Sequence, residues 1–148
     1  MPDSPVPDAD DDDFEGLVEM YVEFDPSDRA QGIPPVREDQ IRTWLENIFA
    51  PDCLNVLACH GGQPVGHATL VPDHDAHELA IFVLHSHQGA GIGTHLLEGL
   101  LGHAQAEGIE HVWLTVERWN DPAISLYEKV GFELSNTESF EMEMGIRL

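Results

Sequence analysis

Basic residues are scarce in this chain. It holds a single lysine, Lys129, and only 6 Lys and Arg together, against 28 Asp and Glu, for a formal net charge of −22. Between Thr43 and Glu117 there is no Lys or Arg at all. No basic patch is available to meet a phosphate backbone, which speaks against nucleic acid as a partner. Cysteine is also rare: Cys53 and Cys59 fall on one expected strand, a poor geometry for a bridge, and read as reduced core thiols. No secretory h-region and no apolar run of membrane-spanning length is present, so no membrane partner is expected and a cytoplasmic protein is.

What is abundant is acid. Repulsion among so many like charges fades only in concentrated salt, where the Debye length drops to about 3 Å at 1 M. The acidity therefore predicts a salt-rich cytosol, as in an extreme halophile. The alternative is a docking surface for a basic partner, which the even spread of acid along the chain makes the weaker reading.

At 148 residues the chain is expected to form one domain, residues 14–148, behind an acidic and disordered tail, residues 1–13. Phe14, Leu17, Val18, Tyr21 and Val22 make a helical stripe, and Ile41, Trp44, Leu45 and Ile48 make a second within Arg37–Phe49. Asp25–Val36 reads as the loop between them. Strands are expected at Leu54–Cys59, Val65–Val71 and Glu78–Leu84, with turns at Gly61-Gly62 and Pro72-Asp73. A helix over about Gly91–Glu107, a strand at His111–Glu117 and a helix from near Pro122 follow. Asp121 is the expected N-cap of that helix and Gly131 its C-terminal cap. Short strands near Glu133–Leu134 and Phe140–Ile146 complete the pattern.

The densest chemistry lies at Gln88-Gly89-Ala90-Gly91-Ile92-Gly93-Thr94, where a strand turns into a helix. Helix starts leave N–H groups without internal partners, and glycines let a ligand approach them, so the junction is a candidate site for a diphosphate. Taken alone, the glycines serve equally well as turn chemistry. The spacing fits neither the dinucleotide fingerprint nor a Walker A loop, because no lysine follows the last glycine.

A second segment, Asn120-Asp121-Pro122-Ala123-Ile124-Ser125-Leu126-Tyr127-Glu128-Lys129-Val130-Gly131-Phe132, follows about thirty residues on. Together the two resemble the GCN5-related N-acetyltransferase (GNAT) family. Gln88, Gly91 and Gly93 match its first signature; Asn120, Ala123, Leu126, Tyr127, Lys129, Gly131 and Phe132 match its second. The resemblance spans roughly His77 to Phe132. It implies a mixed α/β (α+β) fold: a mostly antiparallel central sheet, two splayed parallel strands, and helices on both faces. It further implies acetyl-CoA as acetyl donor and direct transfer to a primary amine of a small molecule or peptide, and it is compatible with a homodimer. Family members usually open with a strand that this acidic beginning does not suggest.

By the same resemblance, the backbone of Val83 and Leu84 would pair with the pantetheine arm. The N–H groups of Gly89, Ala90, Gly91, Ile92, Gly93 and Thr94 would hold the diphosphate. Gln88 would support that loop, and Asn120 would contact the arm. Tyr127 matches the tyrosine that protonates the leaving thiolate; its plain alternative is a half-buried helical aromatic with a satisfied hydroxyl. Glu78 is the candidate base, with His77 or water as competitors. The amine entrance would be flanked by Asp25–Val36 and the Leu134–Phe140 connection. The ribosomal α-amine acetylases of the family tend to carry Glu and Arg where this chain has Thr115 and Glu117, which weakens that subclass. Histidine pairs His74/His77 and His85/His87 lack a metal-ligand spacing, and no metal is expected. Trp44 and Trp113 read as core, and Trp119 as lining the site. A non-catalytic acyl-CoA-binding sensor or interaction module on the same fold is the rival reading.

Overall fold

The computed structural model describes residues 11–24, 35, 37–88, 91–136 and 141–148. Two amphipathic helices come first, α1 (Asp11–Val22) and α2 (Glu38–Ile48). Then follow β1 (Leu54–His60), β2 (Gln63–Asp73), β3 (Ala76–Val83), a short 3-10 turn at His85–His87 and α3 (Ile92–Ala106). The chain ends with β4 (His111–Glu117), α4 (Asp121–Val130), β5 (Glu133–Asn136) and β6 (Glu141–Arg147). No described helix is long and apolar enough to cross a membrane.

The six strands lie in the order β1-β2-β3-β4-β6-β5, and every pairing is antiparallel except β3 with β4. That parallel pairing holds only at His77↔Val112 and Glu78↔Trp113. Beyond those rungs β3 and β4 part, and the sheet has a split at its middle. The expected mixed sheet with two splayed strands is therefore present.

Each face of the sheet buries its own core. On one side α3 packs Ile92, Leu96, Leu97, Leu100, Leu101 and Ala104 against Val56, Ala68, Leu79, Val112, Leu114 and Val116. The helix sits so close that a Cβ on Gly66 of β2 would meet Leu96 Cδ1 at 2.9 Å and Ile92 Cγ2 at 3.2 Å. On the other side α1 and α2 pack Leu17, Tyr21, Ile41 and Leu45 against Leu57 and Phe82.

Several boundaries differ from the sequence reading. Helix α1 starts at Asp11, inside the expected tail. Val22 of the expected stripe is 50 % exposed, and Met20 is buried instead. Strand β2 runs through Pro72, and the turn lies at His74–Asp75 rather than Pro72-Asp73. Pairing of β2 with β1 ends at Leu70, so no β1 partner needs an N–H from Pro72. The cap of α4 is Asn120, not Asp121: its side chain accepts from Ala123 N at 3.4 Å. Cys53 lies before β1 and is partly exposed, Cys59 is buried within it, and neither forms a disulfide. No strand precedes α1 among the described residues. Residues 1–10, most of Asp25–Val36 and residues 137–140 lie outside the described residues.

Candidate active site

The split opens into a cavity of about 650 Å³. Its walls are Ile81, Phe82 and Val83 of β3, His87 and Gln88, and Gly91, Gly93 and Thr94 at the start of α3. Facing them are Glu117 of β4, Trp119, then Asn120, Pro122, Ala123, Leu126 and Tyr127 of α4, with Phe24 after α1. A larger groove of about 830 Å³ lies at the opposite end of β4, around His111 and Trp113, and holds none of the residues matched to either signature except Gly131.

The start of α3 is built for an anion. Gly91 has φ +81°, a left-handed conformation that side chains rarely adopt, and no Cβ would be crowded there. Glycine is therefore demanded by the dihedral rather than by space. No side chain caps this helix, and no acidic residue stands in its first turn, in a chain with 28 acids. The first intrahelical bond is His95 N to Gly91 O at 3.1 Å, so the N–H groups of Ile92, Gly93 and Thr94 have no partner within the helix. Gly89 and Ala90 lie outside the described residues. Ile92 turns its side chain into the core, leaving only its N–H for a ligand.

Hydrogen-bond parity along β3 corrects one expectation. Leu84 N donates to Val65 O at 2.9 Å, so the Leu84 N–H is spent on β2 and cannot serve a ligand. Alternation then turns the backbone groups of Val83 and Ile81 away from β2 and into the split. Val83 and Ile81 both line the cavity. Gln88 Nε2 donates to Val83 O at 3.1 Å, which ties the glycine loop to the end of β3.

Tyr127 is 8 % exposed, and its ring packs edge-on against Phe132 at 5.8 Å. Burial pushes the phenol up to about 12, so it keeps its proton at neutral pH. The hydroxyl makes no hydrogen bond among the described residues, so the satisfied-hydroxyl alternative has no partner to point to.

Glu78 is not among the residues that line the cavity with Tyr127. It stands on the last paired rung, opposite Trp113. Ile81, the wall residue of β3 nearest in sequence, lies three residues on, about 10 Å along an extended strand. Partial burial and the nearby Asp73 raise the Glu78 carboxyl above its ordinary value. His77 faces a separate shallow groove with Pro51 and Glu107. The carboxylate that does line the cavity is Glu117. Only its place at the end of an alternating strand hinted at this in the sequence, and Phe24 and Phe82 gave no signal beyond apolarity. Among the described residues no three His, Cys, Asp or Glu gather to hold a metal.

Residues 14–132 match the family model described as Acetyltransferase (GNAT) family. The mycothiol acetyltransferase of Propionibacterium freudenreichii subsp. shermanii is 30% identical over 136 residues, 86% of this chain and 42% of that protein. The ribosomal protein bS18-alanine N-acetyltransferase of Escherichia coli is 34% identical over 94 residues, 60% of this chain and 64% of that one. The chain spans less than half the length of the mycothiol acetyltransferases it matches. In fold it is similar to the PaiA N-acetyltransferase of Thermoplasma acidophilum, solved with coenzyme A: TM-score 0.81, 21% identity, covering 99% of this chain and 100% of that one.

Proposed function

The chain belongs to the GNAT family of acetyltransferases, and we propose that it moves acetyl from acetyl-CoA directly to a primary amine of a small molecule or peptide. The observation that carries this is the meeting, in one cavity, of an uncapped glycine helix start, split-facing strand backbone and a buried, unbonded phenol. The relatives named above point the same way, since those proteins are acetyltransferases.

In this reading the diphosphate sits on the N–H groups at the start of α3, where the helix dipole favours negative charge. The pantetheine arm adds to β3 as a strand would, meeting Val83 and Ile81. The thioester then lies near Tyr127. The amine nitrogen attacks the carbonyl, its bond to carbon forms and the carbon–sulfur bond breaks. The Tyr127 proton passes to the departing sulfur. The proton lost by the nitrogen restores the phenol through water. Glu78 serves as base only through water along the split, at its distance from the cavity wall. A sensor or interaction module would need the same cofactor site but no phenol held free of partners.

The charge pattern fits a cytoplasm rich in salt, as the sequence suggests, because a polyanionic cofactor must reach a chain of net charge −22.

Calorimetric titration with acetyl-CoA in molar KCl tests the site, wild type beside Gly91→Glu. Saturable binding that the folded variant loses is expected. A folded wild type that binds nothing overturns the reading.

A further inference from the structure

The cavity takes walls from both faces of the sheet, and its two mouths differ in chemistry. Ile81 and Val83 pack on the α3 side, whereas Phe24 and Phe82 belong to the core under α1 and α2. Along β4, Val112, Leu114 and Val116 face α3, so alternation puts Glu117 on the same side as Phe82. The helix start and its phosphate donors occupy the first mouth. The second holds one carboxylate and two aromatic rings, Phe24 and Phe82, and Trp119 lines the same cavity.

Two features of that second mouth lack a structural purpose. Trp119 is 66 % exposed, the most exposed of the large apolar side chains described. The Glu117 side chain makes no ion pair or hydrogen bond among the described residues. A carboxylate among aromatic faces suits an organic cation, which gains from the charge and from the ring quadrupoles together.

Building on the acetyltransferase reading, we propose that this mouth is the acceptor subsite, and that it takes a primary ammonium borne on an apolar or aromatic body. Glu117 is the counter-charge, and Phe82, Phe24 and Trp119 hold the body. The subsite discriminates against free amino acids. No Arg or Lys is among the described walls, so among the described residues a carboxylate next to the ammonium would be set against Glu117 with no cation to offset it.

Phenethylamine and L-phenylalanine share one ring and differ in that carboxylate, so they are the probes. Each is titrated calorimetrically into the CoA-bound protein in molar KCl. Phenethylamine is expected to bind at least about tenfold more tightly, the scale of one charge-assisted contact. Glu117→Gln should erase that preference by weakening phenethylamine, and Trp119→Ala, at an exposed position, should weaken both ligands. Equal affinities, a preference that survives Glu117→Gln, or a wild type that binds neither amine overturns the proposal. Failure of the acetyltransferase reading shows separately, as no acetyl-CoA binding; the same titrations on the unloaded protein then decide the subsite.

Discussion

Tyr21 donates its hydroxyl proton to Nδ1 of His67 at 2.7 Å, and both side chains are wholly buried. The rest of the chain of bonds fixes the tautomer. Asn55 Nδ2 donates to Ile48 O at 2.9 Å, so Asn55 Oδ1 faces His67 Nε2 at 2.7 Å as an acceptor. His67 therefore carries its proton on Nε2 and accepts at Nδ1. These bonds tie α1, β2, β1 and the end of α2 together beneath the second mouth. The Tyr21 ring also meets Phe82 and Phe24, two walls of that mouth, each at 5.6 Å between centroids.

Because His67 is fixed in its neutral form, acid should destabilise the fold through it. Burial pushes its imidazole down to about 3, whereas a free histidine titrates near 6.5. Below the unfolded value the unfolded chain gains a proton that the folded chain refuses. Stability is thus full above about pH 6.5 and falls by about 1.4 kcal/mol for each unit below it, until the folded value is reached. His67→Gln keeps a donor and an acceptor but removes the titration. Urea unfolding of both proteins from pH 7.5 to 5 should show the wild type losing ground to the variant at that slope. Parallel curves would mean that His67 is protonated in the fold.

Gly66 should tolerate no side chain of size. Its missing Cβ is where Leu96 and Ile92 of α3 lie against β2, and Leu96 is fully buried. Gly66→Val forces α3 outward or Leu96 off its rotamer, at about 1–3 kcal/mol. Thermal unfolding should place the variant well below wild type. Because α3 also carries the anion site, its acetyl-CoA affinity should fall too. A variant with unchanged Tm would show that α3 has room the packing does not suggest.

How much could be read from the sequence followed how local the cause was. The helix expected over about Gly91–Glu107 is α3, and its apolar residues Ile92, Leu96, Leu97, Leu100, Leu101 and Ala104 are buried, since one helix face decides them. The second signature placed α4, its Gly131 terminus and Tyr127 from a single run of residues. What failed depended on neighbours in space. Whether Leu84 or Ile81 offers its backbone to the split is set by pairing with β2, where Leu84 meets Val65. Whether Glu78 or Glu117 reaches the cavity depends on where β3 and β4 part, and two rungs of pairing put Glu78 below that point. Capping by Asn120 rather than Asp121 turned on one residue of helix start, which a capping-type pair cannot settle alone.

Tyr127→Phe should leave acetyl-CoA affinity within about twofold, because no hydrogen bond is lost, yet lower kcat by about 10²–10⁴. The pH profile carries a further sign. In the proposed mechanism the protonated phenol is the active form, and burial raises it to about 12, so wild-type kcat should show no fall near pH 10. An alkaline limb at the ordinary tyrosine value, or a kcat unchanged in the variant, would remove Tyr127 from the acid role.

Salt should strengthen cofactor binding where it usually weakens it. In most phosphate sites lysine and arginine supply attraction, and added ions screen it. The cavity walls here include neither among the described residues, and the donors at the start of α3 are backbone N–H groups. What ions screen is then mainly the repulsion between a polyanionic cofactor and a chain of net charge −22. From 0.1 M to 1 M KCl the Debye length shrinks from about 10 Å to about 3 Å, which removes most of that repulsion. The acetyl-CoA Kd, measured only at salt concentrations where circular dichroism shows the fold intact, should fall steadily across this range. A Kd that rises instead would mean that cations outside the described walls hold the phosphates.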